Sequence, residues 1–132
     1  LASTVPNALS GAVSTIASQL NASAILPLTK SGATAKNVSK FRPAAPILAI
    51  TPDPTVACRL QLVWGVKPLV IPQHERTTHT FLAAMTQAKT MGLLKEGDLV
   101  VQTAGTHTGV SGSTDLVKVG IVSSEEAPVN MI

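Results

Sequence analysis

The residues best suited to chemistry form the hexapeptide 29–34, which reads TKSGAT. The hydroxyl groups of Ser31 and Thr34 can donate hydrogen bonds to an oxyanion, and Gly32 would let such an ion approach the backbone closely. If a helix begins here, its unpaired amides and its dipole also favour a negative ligand. We therefore predict a phosphate site; the alternative is a capped helix with nothing bound. The predicted contacts are Thr29, Lys30, Ser31, Gly32, Ala33 and Thr34.

A second stretch rich in Gly, Ser and Thr covers residues 104–114. His107 is its one ionisable side chain before Asp115, and a cationic imidazole would strengthen phosphate binding at lower pH. The alternative is an exposed loop histidine. Thr108 and Gly109 are predicted to join the same site. Arg76, from a third loop, is a candidate counter-charge, or else it points into water.

Recognisable catalytic sets are missing from the sequence. Glu96 and Asp98 fall in a predicted turn, so they are solvated charges rather than a paired acid and base. His74 and His79 are five residues apart and would point in different directions from one helix, which argues against a metal site. Cys58 lies in an apolar helical stretch and is predicted to be in the core. We expect no catalytic residue, no metal and no cofactor in this chain.

The charge distribution favours small anionic partners. The net charge is +3, and the first carboxylate is Asp53, so the first part of the chain should attract anions. With 2% aromatic residues and no basic run, a nucleic-acid partner is disfavoured. No apolar run reaches the length of a membrane span. A lone cysteine favours a reducing compartment, and we expect a cytoplasmic protein.

Length and composition predict one domain over residues 1–132, since 45% of the residues are apolar. Residues 123–132 are predicted to be a flexible tail. The sequence begins with Leu1 rather than Met. We therefore expect it to be a piece of a longer protein or a processed form.

Hydrophobic periodicity predicts helices alternating with strands. The first helix should bury a stripe running from Val5 through Val13 to Leu20, and its other face is polar but uncharged. That face either packs on a partner domain or is a serine-rich surface. Thr77 or Thr78 is predicted to cap the last helix. The predicted helices cover residues 1–20, 35–41, 54–64 and 77–91, and the predicted strands cover 24–28, 47–51, 66–71, 99–103 and 116–122.

This order of elements predicts a three-layer α/β/α fold around a five-stranded mixed sheet. Right-handed crossovers favour the strand order 3-2-1-4-5. Residues 104–114 lack a helix that could return the chain, so the last strand should run antiparallel at an edge. The loops 29–34 and 104–114 should then meet at the carboxyl ends of strands 1 and 4, where ligands bind such sheets.

Several stretches closely resemble the C-terminal domain of pyruvate kinase. The likeness covers residues 2–122 in the right order and spacing. The matching stretches are LTKSG at 28–32, VSKFRP at 38–43, PILAITP at 46–52, LVWGVKP at 62–68, EGD at 96–98, AG at 104–105 and GST at 112–114.

The resemblance implies a five-stranded mixed sheet flanked by helices and a domain without the active site. Phosphate transfer from phosphoenolpyruvate to ADP, a step of glycolysis, would belong to preceding barrel and lid domains that use Mg²⁺ and K⁺. In many family members this domain binds an allosteric sugar phosphate, often fructose 1,6-bisphosphate. One phosphate would sit in residues 29–34, and residues 106–113 would close over the effector. The domain would also contact the catalytic domains and help to form a homotetramer.

Two departures from the family weaken the expectation of a bisphosphate. Arg76 is the only cation in the short loop before the fourth helix, where some members hold the second phosphate. Asp115 stands where members usually have Asn, and a carboxylate facing the site would repel an anion. A monophosphate effector therefore remains open. So do a structural and oligomerisation module with a vestigial effector site, and a free-standing small-molecule binder that shares only the fold.

Overall fold

Helices and strands alternate along the chain. A computed structural model of the protein describes residues 4–105 and 114–123. The elements are α1 Val5–Gln19, β1 Ala24–Pro27, α2 Ala33–Lys40, β2 Ile47–Thr51, α3 Pro54–Leu60, β3 Val66–Val70, α4 Thr77–Thr90, β4 Leu99–Gly105 and β5 Thr114–Ile121. The predicted flexibility of the tail after Ser123 lies outside the described residues.

The strands form one sheet in the order β3-β2-β1-β4-β5, as predicted. β1 to β4 are parallel, and β5 runs antiparallel to β4 at the edge. β1 and β2 are buried at every position, because helices cover both faces of the central sheet. Ile25 pairs with Val101 and Pro27 with Thr103, so β1 and β4 end at the same side of the sheet.

Each face of the sheet has its own apolar core. On one face, Phe81 and Met85 of α4 pack in a cluster with Leu26 and Val100. On the other face, α1 and α2 contribute a second cluster, and α3 joins α2 in a third. The predicted three-layer α/β/α architecture is therefore confirmed.

The start of α4 differs from the prediction that Thr77 or Thr78 caps it. The N-cap is Arg76, with no side-chain hydrogen bond to the helix. Thr80, one turn further along the helix, fixes the preceding loop instead. Its buried hydroxyl oxygen accepts a hydrogen bond from the His74 amide at 3.1 Å. The loop is thereby held against the helix, which begins at Thr77 itself. By contrast, the predicted cap of α3 is confirmed, since Asp53 accepts from the Thr55 amide at 2.8 Å.

The buried face of α1 is rotated from the predicted stripe. Val13 is buried, but Val5 and Leu20 are 62% and 46% exposed. Ser10 takes an inward position instead, which its hydroxyl permits by donating to the Pro6 carbonyl at 2.8 Å. Gly11 allows α1 to lie close to α2, because a Cβ there would come within 3.2 Å of the Phe41 ring.

The prediction that Cys58 lies in the core was wrong. Val56, Ala57 and Leu60 turn inward from α3, and Cys58 is exposed between them. The helix is also shorter than predicted, ending at Leu60 rather than Trp64. A seven-residue helix at the side of a sheet buries a narrow stripe, and an apolar composition alone did not place the cysteine on it.

Candidate functional site

The predicted phosphate loop leaves the sheet between β2 and β4. The Leu28 amide donates to the Thr103 carbonyl of β4, and the next amide, Thr29, donates to the Ile50 carbonyl of β2, both at 2.8 Å. Backbone hydrogen bonds thus tie the start of the loop to both β4 and β2, the two strands that flank β1. This placement is the carboxyl-end position expected for a ligand loop in an α/β sheet.

A buried threonine fixes the turn that follows. Thr29 is 5% exposed, and its hydroxyl oxygen accepts a hydrogen bond from the Gly32 amide at 2.8 Å. The bond closes a tight turn over residues 29–32, immediately before α2. Thr29 is therefore a framework residue of the loop, whereas the sequence suggested only a ligand contact.

Gly32 has two structural roles at the start of α2. It is the N-cap residue with φ +93° and ψ −5°, a left-handed conformation that residues with a Cβ rarely adopt. A Cβ at this position would also lie 3.2 Å from Cδ2 of Leu60 and 3.5 Å from Cγ1 of Val56. The glycine therefore lets the loop turn and lets α3 pack against it, besides any close approach of an anion.

The remaining loop residues divide between solvent and core. Lys30 and Ser31 are exposed, Ala33 is half-buried, and Thr34 is 5% exposed. The Ser31 hydroxyl oxygen accepts from the Ala33 amide at a long 3.4 Å. The first turn of α2 holds no acidic residue. An incoming anion would thus meet a hydroxyl, an ammonium group and the positive end of a helix dipole, with no carboxylate in that turn.

The second predicted loop starts beside the first. Gly105 ends β4 two residues after Thr103, which pairs with Pro27 at the end of β1. The chain therefore departs from β4 at the same edge where residues 29–34 leave β1. His107, Thr108 and Gly109 lie outside the described residues, so their predicted contacts stay predictions.

Arg76 is the N-cap residue of α4, which lies on the opposite face of the sheet from α2. α4 packs on the cluster that contains Leu26 and Val100, whereas Val38 of α2 packs with Ile25 and Val101. Arg76 is exposed, and both helices begin at the carboxyl side of the sheet. A role for Arg76 would require a ligand that reaches across this edge, which remains a prediction.

Sequence reasoning missed a polar residue inside the sheet near the loop. Thr103 is 1% exposed, and its hydroxyl has no hydrogen-bond partner within the described residues. Strand alternation places its side chain on the face of Val101, below α1 and α2. The signal was visible as a threonine that follows Gln102 in a strand whose other residues before Gly105 are apolar. A buried hydroxyl left without a partner lowers stability.

Thr103→Val should raise the free energy of unfolding by about 1 kcal/mol, because it replaces this hydroxyl by a methyl group of similar size. Thr51→Val is the matched control: Thr51 is fully buried in β2, but its hydroxyl oxygen accepts from the Asp53 amide at 3.2 Å. Thr51→Val should lower the free energy of unfolding, because the Asp53 amide loses this hydrogen bond. Urea unfolding of both variants measures the difference, and equal losses in the two would contradict the assignment.

Two features are absent from the part of the chain that the structure describes. No group of three His, Cys, Asp or Glu side chains there is arranged to hold a metal ion. The helices within that part are too short or too polar to cross a membrane. The arrangement around residues 29–34 combines a backbone held by hydrogen bonds, exposed donors and the positive end of a helix dipole.

Comparison with known proteins adds an independent finding. The family model described as "Pyruvate kinase, alpha/beta domain" matches residues 7–120. Pyruvate kinase 2 of Synechocystis is 58% identical over 91% of this chain, and pyruvate kinase of Clostridium acetobutylicum is 43% identical over 82% of it. Pyruvate kinase of Geobacillus stearothermophilus is 42% identical over 91% of the chain.

These alignments cover only part of each relative. The matched region is 20% of the Synechocystis and Geobacillus proteins and 23% of the Clostridium protein. The chain therefore spans about one fifth of the length of these relatives.

Proposed function

This chain belongs to the pyruvate kinase alpha/beta domain family, and on that premise we propose that it binds a phosphate-bearing effector for a longer enzyme. The parent would be a cytoplasmic pyruvate kinase that transfers phosphate from phosphoenolpyruvate to ADP. Its active site, with Mg²⁺ and K⁺, would lie in catalytic domains outside this sequence. The domain itself would be regulatory and without kinase activity.

The turn at the start of α2 is the observation that carries the proposal. The bond between Thr29 and the Gly32 amide holds the loop in one shape before any ligand arrives. A preformed loop loses little conformational entropy on binding, so more of the interaction energy appears as affinity. Ser31 and Lys30 are exposed next to the helix start, where a phosphate dianion gains most from the dipole.

A sugar phosphate suits this geometry better than a free phosphate ion. With the phosphate at Ser31, the sugar would extend over the carboxyl edge toward the end of β4, where the loop containing His107 departs. Contacts between the sugar and that loop would bias the packing of the domain against the rest of the enzyme, which is the basis of an allosteric effect. Fructose 1,6-bisphosphate or a monophosphate would serve, the latter needing no contact from Arg76.

Thermal unfolding of the chain with and without phosphate esters tests this function. Fructose 1,6-bisphosphate, other sugar phosphates and nucleotides are compared with fructose, which lacks the phosphate. At a ligand concentration of about 100 Kd, binding adds about 2.7 kcal/mol to stability and raises the midpoint by several degrees. Fructose should leave the midpoint unchanged. If none of the esters raises it above the fructose control, the proposed function fails.

A structural and oligomerisation module with a vestigial site is the second candidate. The position of β5 at an edge of the described sheet favours it, and three of its apolar side chains, Leu116, Val119 and Ile121, are 40%, 38% and 53% exposed. An exposed apolar edge strand is a template for pairing with another chain, as a homotetrameric parent would require. If this second function is correct, the midpoint of thermal unfolding should rise with protein concentration and should not change when phosphate esters are added. Thermal unfolding at several protein concentrations, with and without the esters, therefore separates the two functions.

A further inference from the structure

Three large apolar side chains are exposed at the amino edge of the sheet, where α2 and α3 end. Phe41 follows the last residue of α2, and Leu62 and Trp64 lie between α3 and β3. These residues are 48%, 92% and 48% exposed. The Ser39 hydroxyl donates a hydrogen bond to the Trp64 carbonyl at 2.6 Å, which holds the end of α2 beside the segment that leads into β3.

Positive charge accompanies these apolar side chains. Cζ of Arg42 lies 4.6 Å from the centroid of the Trp64 ring. Arg42 has φ +49°, a left-handed conformation that is uncommon for a residue with a Cβ and that is found most often at functional positions. Lys40, in the last turn of α2, is exposed as well. We call the five residues Lys40, Phe41, Arg42, Leu62 and Trp64 the amino-edge patch.

The chain after β5 leaves the sheet at the same edge. β5 is antiparallel to β4, and the Val122 amide donates to the Asp98 carbonyl, just before β4, at 2.8 Å. Residues 124–132 come next and read SEEAPVNMI. The family model matches residues 7–120, so this segment lies beyond the region that defines the family.

The order of residue types in this segment matches the order of groups along the edge. An acidic pair, Glu125 and Glu126, precedes a mostly apolar end at residues 129–132. The strand order is β3-β2-β1-β4-β5, so a chain crossing from β5 first meets the stretch that precedes β2, which contains Arg42. It then meets the stretch that precedes β3, which contains Trp64. Carboxylates would thus come to cations, and apolar side chains to an apolar surface.

We propose that residues 124–132 bind to the amino-edge patch of the same chain. The glutamates would lie near Lys40 and Arg42, and the apolar end would cover Trp64. Four interstrand spacings separate β5 from β3, a distance of about 19 Å. Nine extended residues span up to about 30 Å, which is enough to reach the patch. Pro128 supports an extended path, because it disfavours a helix at its own position and at the residue before it.

This interaction does not rest on the proposed effector function. The loop 29–34 follows the end of β1, at the carboxyl edge of the sheet, whereas the patch lies at the amino edge. Ser31→Glu should therefore leave the environment of Trp64 unchanged. Failure of one proposal leaves the other intact.

Quenching of Trp64 fluorescence by acrylamide tests the proposal, because Trp64 is the only tryptophan in the sequence. A neutral quencher measures how much of the ring the solvent reaches. In Glu125→Gln/Glu126→Gln the quenching constant should rise about twofold, since the bound segment would no longer cover this half-exposed ring. Salt at about 1 M should also raise it in the unchanged chain, because the Debye length falls to about 3 Å. The double variant should lack this response to salt.

Glu75→Gln/Glu96→Gln is the matched control. It removes two exposed glutamates from other parts of the surface and gives the same net charge, so its quenching constant should equal that of the unchanged chain. Thermal unfolding verifies that both double variants are folded. Equal quenching constants in the two double variants would overturn the proposal. Protection of Trp64 that falls on dilution would also overturn it, because the segment would then bind to a second copy.

Discussion

Gly32→Ala is expected to lower the free energy of unfolding by about 2 kcal/mol. The left-handed conformation at φ +93° costs a residue with a Cβ about 1–2 kcal/mol. The new Cβ would also press on Cδ2 of Leu60 at 3.2 Å, and Leu60 is 1% exposed, so it has little room to move. Reduced freedom of the unfolded chain offsets part of the loss. Urea unfolding at 25 °C measures the change.

Gly97→Ala is the matched control for this prediction. Gly97 has φ +87°, but a Cβ there meets nothing within 4 Å. Gly97→Ala should therefore lower the free energy of unfolding by about 1 kcal/mol, from the backbone conformation alone. Adding Leu60→Val to Gly32→Ala should recover part of the difference, since the shorter side chain relieves the contact. If Gly32→Ala costs no more than Gly97→Ala, packing against α3 plays no part in fixing the loop.

Strand order was predictable because topology follows from a few strong signals. The apolar run at residues 47–50, followed by Thr51, predicted a buried strand, and the structure has β2 at Ile47–Thr51. Residues 104–114 have no helical pattern that could form a parallel crossover, which predicted the antiparallel edge strand that is observed. Rules of connection therefore fixed the sheet without any knowledge of side-chain contacts.

Helix orientation was less predictable, because tertiary contacts decided it. In α1 the polar Ser10 is buried, whereas the apolar Val5 is exposed. The hydroxyl of Ser10 can be buried because it donates a hydrogen bond within the helix, and Gly11 allows the helix to pack against Phe41. Cys58 shows the same limit in α3. Hydropathy gives the average environment of a helix, whereas the rotation that places each side chain depends on its neighbours.

The candidate site was predictable in position but only partly in the roles of its residues. Its place after β1 followed from the sequence of strand, turn and helix. The sequence could not show that Thr29 would turn inward to hold the Gly32 amide, because a threonine in a turn can face either way.

Ser31→Glu should abolish binding of phosphate esters while leaving the domain folded. Ser31 is exposed just before the N-cap of α2, so a carboxylate there would lie where the phosphate is proposed to bind. Two charges about 4 Å apart near a protein surface repel by roughly 4 kcal/mol, which lowers affinity several hundredfold. The same carboxylate interacts favourably with the helix dipole and should keep or slightly raise the stability without ligand. Calorimetric titration and thermal unfolding measure the two effects.

Thr55→Glu provides the matched control for the charge. Thr55 is exposed in the first turn of α3, so this variant places the same carboxylate at another helix start and gives the chain the same net charge. It should lose much less affinity for phosphate esters than Ser31→Glu does, because its carboxylate would be farther from a phosphate at Ser31 and more fully screened by salt. The contrast between the variants separates a local phosphate site from general attraction of anions to a basic domain. Equal weakening in both variants would mean that net charge, rather than the turn held by Thr29, governs the binding.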